Sequence, residues 1–327
     1  MLALLLRSLH SDTINLIYNN VGPFVSIHLR RLPWVWSFGK CDTQNHWPRL
    51  RDLHIHGELE LDPDHHLPFV TLLAGMPKLR VLKLHLFMRR GADKRILQLW
   101  PKGYEGCFPW PDLDDLTMSF PSPEDQIYCH FPHTMRRLSL RCFPHHCFYL
   151  WETEMVNHLH LPVLYASEML EIISKINAPH LDYLQLEYRA DAAEGDFLDL
   201  LSRKFPRMTF LEIHRFHSPR ASDATAHDIA SQLAKLSHLK TLRANLDFEH
   251  TADWWSGNPN RVEIVEMLQQ TAATLASTLA QQDVMLWLLR RVLSGATWVL
   301  FHPADRQDPA RGLRMEIHRG GERMYVL

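Results

Sequence analysis

The chain has 327 residues, of which 46% are hydrophobic and 22% charged, with 13 Gly and 20 Pro; this is the composition of a folded protein, not of a disordered or collagen-like one. Its 35 Lys and Arg against 37 Asp and Glu leave a formal charge of −2, so no global attraction to nucleic acid or to an anionic membrane is expected. The five cysteines are too few, and odd in number, for a disulfide framework, and no run reaches the roughly 18 apolar residues of a membrane span; the expectation is an intracellular protein of cytoplasm or nucleus.

In chain order, residues 1–22 hold one apolar-rich stretch, residues 4–17, that reads as a helix capping the first repeat. A pattern apolar-x-x-apolar-x-apolar then recurs, first at Phe24/Ile27/Leu29 and then at Leu50/Leu53/Ile55, Leu79/Leu82/Leu84, Leu113/Leu116/Met118 and Met135/Leu138/Leu140. It continues at Val156/Leu159/Leu161, Leu181/Leu184/Leu186, Met208/Leu211/Ile213 and Leu239/Leu242/Ala244. Leucine supplies 52 of the 327 residues. The intervals scatter around the period of leucine-rich repeats, roughly 20 to 29 residues. In five units Pro48, Pro77, Pro111, Pro179 and Pro206 stand two residues before the first apolar position. Proline lacks an N–H and disfavours helix in the residue before it, so it ends the preceding helix and opens the next strand.

Within each strand the second and third apolar residues are two apart and share one face. Helical spacing predicts helices at residues 67–76, 167–177, 196–205 and 223–236, the last capped by Ser222 or Asp223. Residues 120–132 and 143–151 are rich in Pro, aromatics and His and predict irregular connections. Residues 85–110 form a longer insertion whose Arg89, Arg90, Lys94 and Arg95 read as a solvated basic loop. Past Asn245 the repeat fades. Residues 261–294 read as one long helix or two, followed by short strands at 297–302, 313–318 and 322–327. The fold expectation is α/β: an irregular leucine-rich-repeat solenoid, ribonuclease-inhibitor-like, over residues 23–250, with a helical and short-stranded C-terminal cap over 251–327.

The phrases PRLRDLHI (48–55), PKLRVLKL (77–84) and PHLDYLQL (179–186) resemble the irregular repeats of F-box/leucine-rich-repeat proteins, in particular the divergent fungal set. The resemblance implies a substrate-receptor subunit of a cullin-RING ubiquitin ligase, with an N-terminal F-box on the Skp adaptor and the repeats on the substrate. Two features depart from that family. Residues 1–20 lack the Leu-Pro opening and the Ile-Phe or Leu-Phe pair of an F-box, so residues 1–22 are a cap or a degenerate F-box remnant. The Asn or Cys of regular repeats is also missing, because Glu58, Phe87, Pro121, Arg189, Phe216 and Asp247 stand at its position. A free-standing leucine-rich-repeat scaffold without a ubiquitin link is the alternative.

Catalytic signatures are absent: there is no Gly-x-Ser-x-Gly, Walker, Gly-x-Gly-x-x-Gly or His-Glu-x-x-His motif. No enzyme and no cofactor are expected. Cys129, His130, His133, Cys142, His145, His146 and Cys147 are dense in zinc-type ligands, but no Cys-x-x-Cys pair accompanies them. A zinc-dependent activity is the distant alternative, and no metal site is assigned. If the repeats form one parallel sheet, the residue between the second and third apolar positions leaves the inner face. That column is His54, Lys83, Thr117, Ser139, His160, Gln185, Glu212 and Arg243, all polar. Tyr183 and Phe210 are neighbouring aromatics in the column beside it. Solvation alone accounts for polarity on an open face; as a function, the ten residues are the expected protein-binding surface, anchored by Tyr183, Phe210, Glu212 and Arg243.

Overall fold

A computed structural model describes residues 17–21, 24–30, 49–58, 69–89, 98–141, 159–160, 163–218, 224–247, 261–279, 284–292, 295–302 and 314–318. It is a mixed α/β fold built on an open sheet whose central strands are parallel. The strands are β1 (Ile17–Val21), β2 (Phe24–Arg30), β3 (Leu50–Glu58), β4 (Val81–Arg89), β5 (Asp115–Met118), β6 (Arg137–Leu140), β7 (Leu159–His160), β8 (Leu164–Tyr165) and β9 (Tyr183–Arg189). They continue with β10 (Phe210–Phe216), β11 (Thr241–Leu246), β12 (Met285–Val292), β13 (Gly295–His302) and β14 (Arg314–His318). Strands β2 to β6 and β9 to β12 run parallel in chain order, β6 lies directly beside β9, and β1, β13 and β14 are antiparallel to their neighbours.

The apolar triplets determine this arrangement. Leu53, Leu82, Leu116, Leu138, Leu184, Leu211, Leu242 and Leu286 are register partners across eight adjacent strands, and every one is buried. The first and third positions of the same units are buried too, from Leu50 and Ile55 through to Leu239 and Ala244. Each such leucine contributes on the order of 1.5–3 kcal/mol by leaving water. Helices α1 (Phe69–Leu73), α2 (Ala166–Lys175), α3 (Glu194–Lys204), α4 (Ala226–Leu233) and α5 (Arg261–Thr278) lie between strands, and α2 to α5 pack each on the next. No helix among the described residues is long and apolar enough to cross a membrane.

Between β4 and β6 the described residues of the layer opposite the sheet include no α-helix. Trp110 fills this layer and donates its indole N–H to Leu73 O (3.0 Å). Asp125, fully buried, accepts from the backbone N–H groups of Leu99 (2.6 Å), Trp100 (2.9 Å) and Ile127 (2.9 Å). Burial pushes its carboxyl up to about 6, and those three donors oppose the rise. The 3-10 turn Gln126–Cys129 follows directly.

At the edge where the chain enters the sheet, one carbonyl per repeat accepts two consecutive N–H groups of the next. Arg80 O takes Asp114 N (2.9 Å) and Asp115 N (3.0 Å), and Asp114 O takes Arg136 N and Arg137 N (both 2.9 Å). Arg136 O takes Asp182 N and Tyr183 N, Asp182 O takes Thr209 N and Phe210 N, and Thr209 O takes Lys240 N and Thr241 N. The turns are thereby tied in the same register as the strands.

Four expectations change. The unit at Val156/Leu159/Leu161 adds no strand to the parallel file: β7 pairs antiparallel with the end of β4, Met88 opposite His160, and β6 passes directly to β9. Residues 261–294 are not one helical region, because α5 ends at Thr278 and β12 joins β11 in parallel. The alternation Leu286/Leu288, both buried with the half-exposed Trp287 between them, is a strand period. Helix α4 is capped by Thr225, not by Ser222 or Asp223: its hydroxyl accepts from Asp228 N (3.2 Å) while the Asp228 carboxylate accepts from Thr225 N (2.9 Å). Ile17, which ends the predicted capping helix, begins strand β1; residues 4–16 fall outside the described residues, as do 142–158 and 319–327. The sheet itself continues past residue 250 without a break in pairing.

Candidate functional site

The polar column exists as a row of register partners. His54 pairs with Lys83, Lys83 with Thr117, Thr117 with Ser139, Ser139 with Gln185, Gln185 with Glu212, and Glu212 with Arg243. His160 is the exception, since it sits on β7 against β4 in a separate pairing. Arg243 is followed by Trp287 of β12. The neighbouring row runs Asp52, Val81, Asp115, Arg137, Tyr183, Phe210, Thr241 and Met285.

Two layers meet at the C-terminal half of this face. The upper layer alternates cations and rings. The Arg137 guanidinium lies 4.1 Å over the Tyr183 ring, Tyr183 stacks on Phe210 (centroids 4.2 Å, 7° between planes), and Arg243 sits 5.5–5.6 Å from Phe210, Trp287 and Trp298. Parallel strands about 4.8 Å apart place such side chains at stacking distance, and each cation–ring contact is worth about 0.5–2 kcal/mol. All of these side chains keep part of their surface in solvent, and Met285 beside them is 46% exposed, the one large exposed hydrophobic among the described residues.

The lower layer is charged and dry. Glu212 is only 1% exposed, so it is not the surface anchor expected of it. Its carboxylate receives Arg141 Nη1 (2.5 Å), Gln185 Nε2 (3.1 Å) and pairs with His214 Nε2 (2.8 Å), while Arg243 Nη1 stands 3.7 Å away. Burial alone would raise its pKa; Arg141, then His214 and Gln185, more than reverse that and hold the carboxyl well below the usual range. A carboxylate so held neither gives nor takes a proton near neutrality, the opposite of what general acid–base chemistry needs. The His214 ring also meets Trp298 edge-on at 5.8 Å, so the dry layer supports the ring layer. At the other half of the face, Asp115 bridges Lys83 (3.6 Å) and Arg137 (3.4 Å). Burial raises the Asp115 carboxyl, and the two cations draw it back.

Sequence reasoning placed Tyr183 beside Phe210 correctly but missed Arg141, His214, Trp287 and Trp298. Trp287 was hidden by the helical reading of its segment; the Leu286/Leu288 alternation was the available signal. Of the His/Cys-rich stretch, Cys129 is exposed, His130 stacks on Trp100 at 4.3 Å, and 142–147 lies outside the described residues. Among the described residues no three His, Cys, Asp or Glu side chains converge as a metal site would require. No family model matches this chain, and no curated protein matches it.

Proposed function

We propose that this chain is a non-catalytic protein-recognition module: a leucine-rich-repeat solenoid whose sheet face from β6 to β13 receives a protein partner. The observation that carries this reading is the row Arg137, Tyr183, Phe210, Arg243 and Trp287, partly exposed rings and guanidinium groups on successive strands above a fixed ion-pair floor. Rings and Arg at the centre of a patch are the side chains that concentrate binding energy, and their strands leave them little freedom to lose on association. His54 and Lys83, half-buried at the far end of the row that contains Arg243, form a polar margin, whereas Thr117 and Ser139 between them and the rings are buried and offer no contact surface.

In its most specific form the partner is a substrate brought through the Skp adaptor to a cullin-RING ubiquitin ligase. The repeat phrases at 48–55, 77–84 and 179–186 support this by resemblance. The alternative is a scaffold without a ubiquitin link. Pull-down of the full chain and of its Tyr183→Ala/Phe210→Ala variant from native cell extract separates the two. The ligase reading expects adaptor and cullin with both chains and loss of further bound proteins with the variant. Absence of adaptor from the full chain overturns the ligase reading; an unchanged set of bound proteins with the folded variant overturns the sheet face.

A further inference from the structure

The residues flanking the first apolar anchor of each repeat lie at the sheet's entry edge. An open cleft of about 880 Å³ follows that edge from Arg51, beside β4, to Arg207, before β10, and neither Tyr183 nor Phe210 is among the residues that line it. Five of its side chains are cations, Arg51, Lys78, Arg80, Arg136 and Arg207, and two are carboxylates, Asp112 and Asp114. Five minus two leaves a local surplus of three positive charges in a chain whose total is −2. Arg80 pairs with Asp114. Lys78, Arg136 and Arg207 are exposed and have no acidic partner among the described residues; Arg207 Nη1 instead meets His180 Nδ1 at 3.0 Å.

We propose that this cleft binds an extended acidic peptide segment of a partner protein. The span sets the length: from β3 through β4, β5, β6 and β9 to β10 is five strand steps of about 4.8 Å, roughly 24 Å, which an extended peptide covers in about seven residues. The donors set the chemistry, because guanidinium forks match carboxylates in two parallel hydrogen bonds. The backbone N–H groups of Arg80, Asp114 and Arg136 are already given to neighbouring carbonyls, so at these positions recognition falls on the side chains. A single-stranded nucleic acid fits less well: no Phe, Tyr or Trp lines the cleft, only the smaller rings of His133 and His180, and Asp112 and Asp114 would oppose an unbroken run of phosphates. A peptide places its carboxylates only where cations await them.

The test is fluorescence anisotropy of fluorescein-labelled heptaglutamate with the full chain at low ionic strength, beside labelled heptaglutamine and heptathymidylate. Saturable binding of heptaglutamate alone, weakened by salt, is expected. Arg136→Glu/Arg207→Glu should lower its affinity by about tenfold or more, and Asp112→Asn, at an exposed position, should raise it about threefold. Tyr183→Ala/Phe210→Ala should leave it unchanged, so failure here and failure of the sheet-face function are read separately. No saturable binding, equal binding of heptaglutamine, or tighter binding of heptathymidylate overturns the proposal. Circular dichroism checks that the charge-reversed chain is folded; if it is not, the direction of the Asp112→Asn effect decides.

Discussion

Neutralising Glu212 tests whether the floor beneath the ring layer is a true ion pair. Glu212→Gln keeps the shape of the side chain but removes the charge that faces Arg141 at 2.5 Å and His214 at 2.8 Å. Arg141 cannot lose its proton at any accessible pH. The cost therefore falls on a guanidinium whose side chain is 9% exposed, and breaking a buried pair from one side costs about 3–5 kcal/mol. Against a total stability of about 5–15 kcal/mol that is a large loss. Urea unfolding followed by tryptophan fluorescence at pH 7 should show it, and Arg141→Met/Glu212→Gln should recover much of it, giving a coupling in a double-mutant cycle. The pH dependence has a fixed sign. The folded pKa lies below the unfolded value of 4.5, so the folded state binds fewer protons; the stabilisation is present above 4.5 and lost as pH falls below it. Glu212→Gln should lack that acid loss. A variant within about 1 kcal/mol of the parent at pH 7, or a cycle without coupling, would refute the reasoning.

Asp125 works in the opposite sense: its folded carboxyl, at about 6, lies above the ordinary 3.8, so the folded state holds its proton more tightly. Its contribution is full below 3.8 and lost as pH rises through 6, a change of about 3 kcal/mol. Asp125→Asn should flatten the difference between the urea-unfolding free energies at pH 4 and pH 7 by about 2–3 kcal/mol; an unchanged difference would show that the group does not titrate there. Thr225→Ala removes one half of the box that opens α4 and should cost about 1 kcal/mol in thermal or urea unfolding. Phe210→Ala removes a partly exposed ring stacked between Tyr183 and Arg243 and should cost about 1–2 kcal/mol; a loss above about 4 kcal/mol would place the ring in the core and not on a binding face.

The apolar triplets were legible because burial is written locally: a leucine at the second or third position has the same surroundings in every unit, and proline marks where each begins. Leu82, Leu184 and Leu242 could thus be aligned before any coordinates. The unit at 156 carries the same letters but no strand in the parallel file, since pattern alone does not say which segment wins the place beside β6. The segment 285–292 was misread because leucines at 286 and 289 satisfy a helical stripe as well as a strand. The floor was illegible in principle. Arg141 and Glu212 are separated by 71 residues, and the polarity of Glu212 and His214 argues for a wet face unless their partners are known. Electrostatic complementarity of this kind belongs to the assembled sheet, not to any stretch of chain.

The carbonyls at the entry edge that each receive two N–H groups have a dynamic consequence. Opening any one turn means releasing two amides from the repeat before it and freeing a carbonyl that holds two amides of the repeat after it. Hydrogen exchange at Asp114, Arg136, Asp182, Thr209 and Lys240 should therefore be as slow as within the strands they precede, although each sits in a turn at the surface. Loss of protection should spread along the edge to both neighbours together rather than fray repeat by repeat, so that the units between β4 and β11 open as one cooperative block.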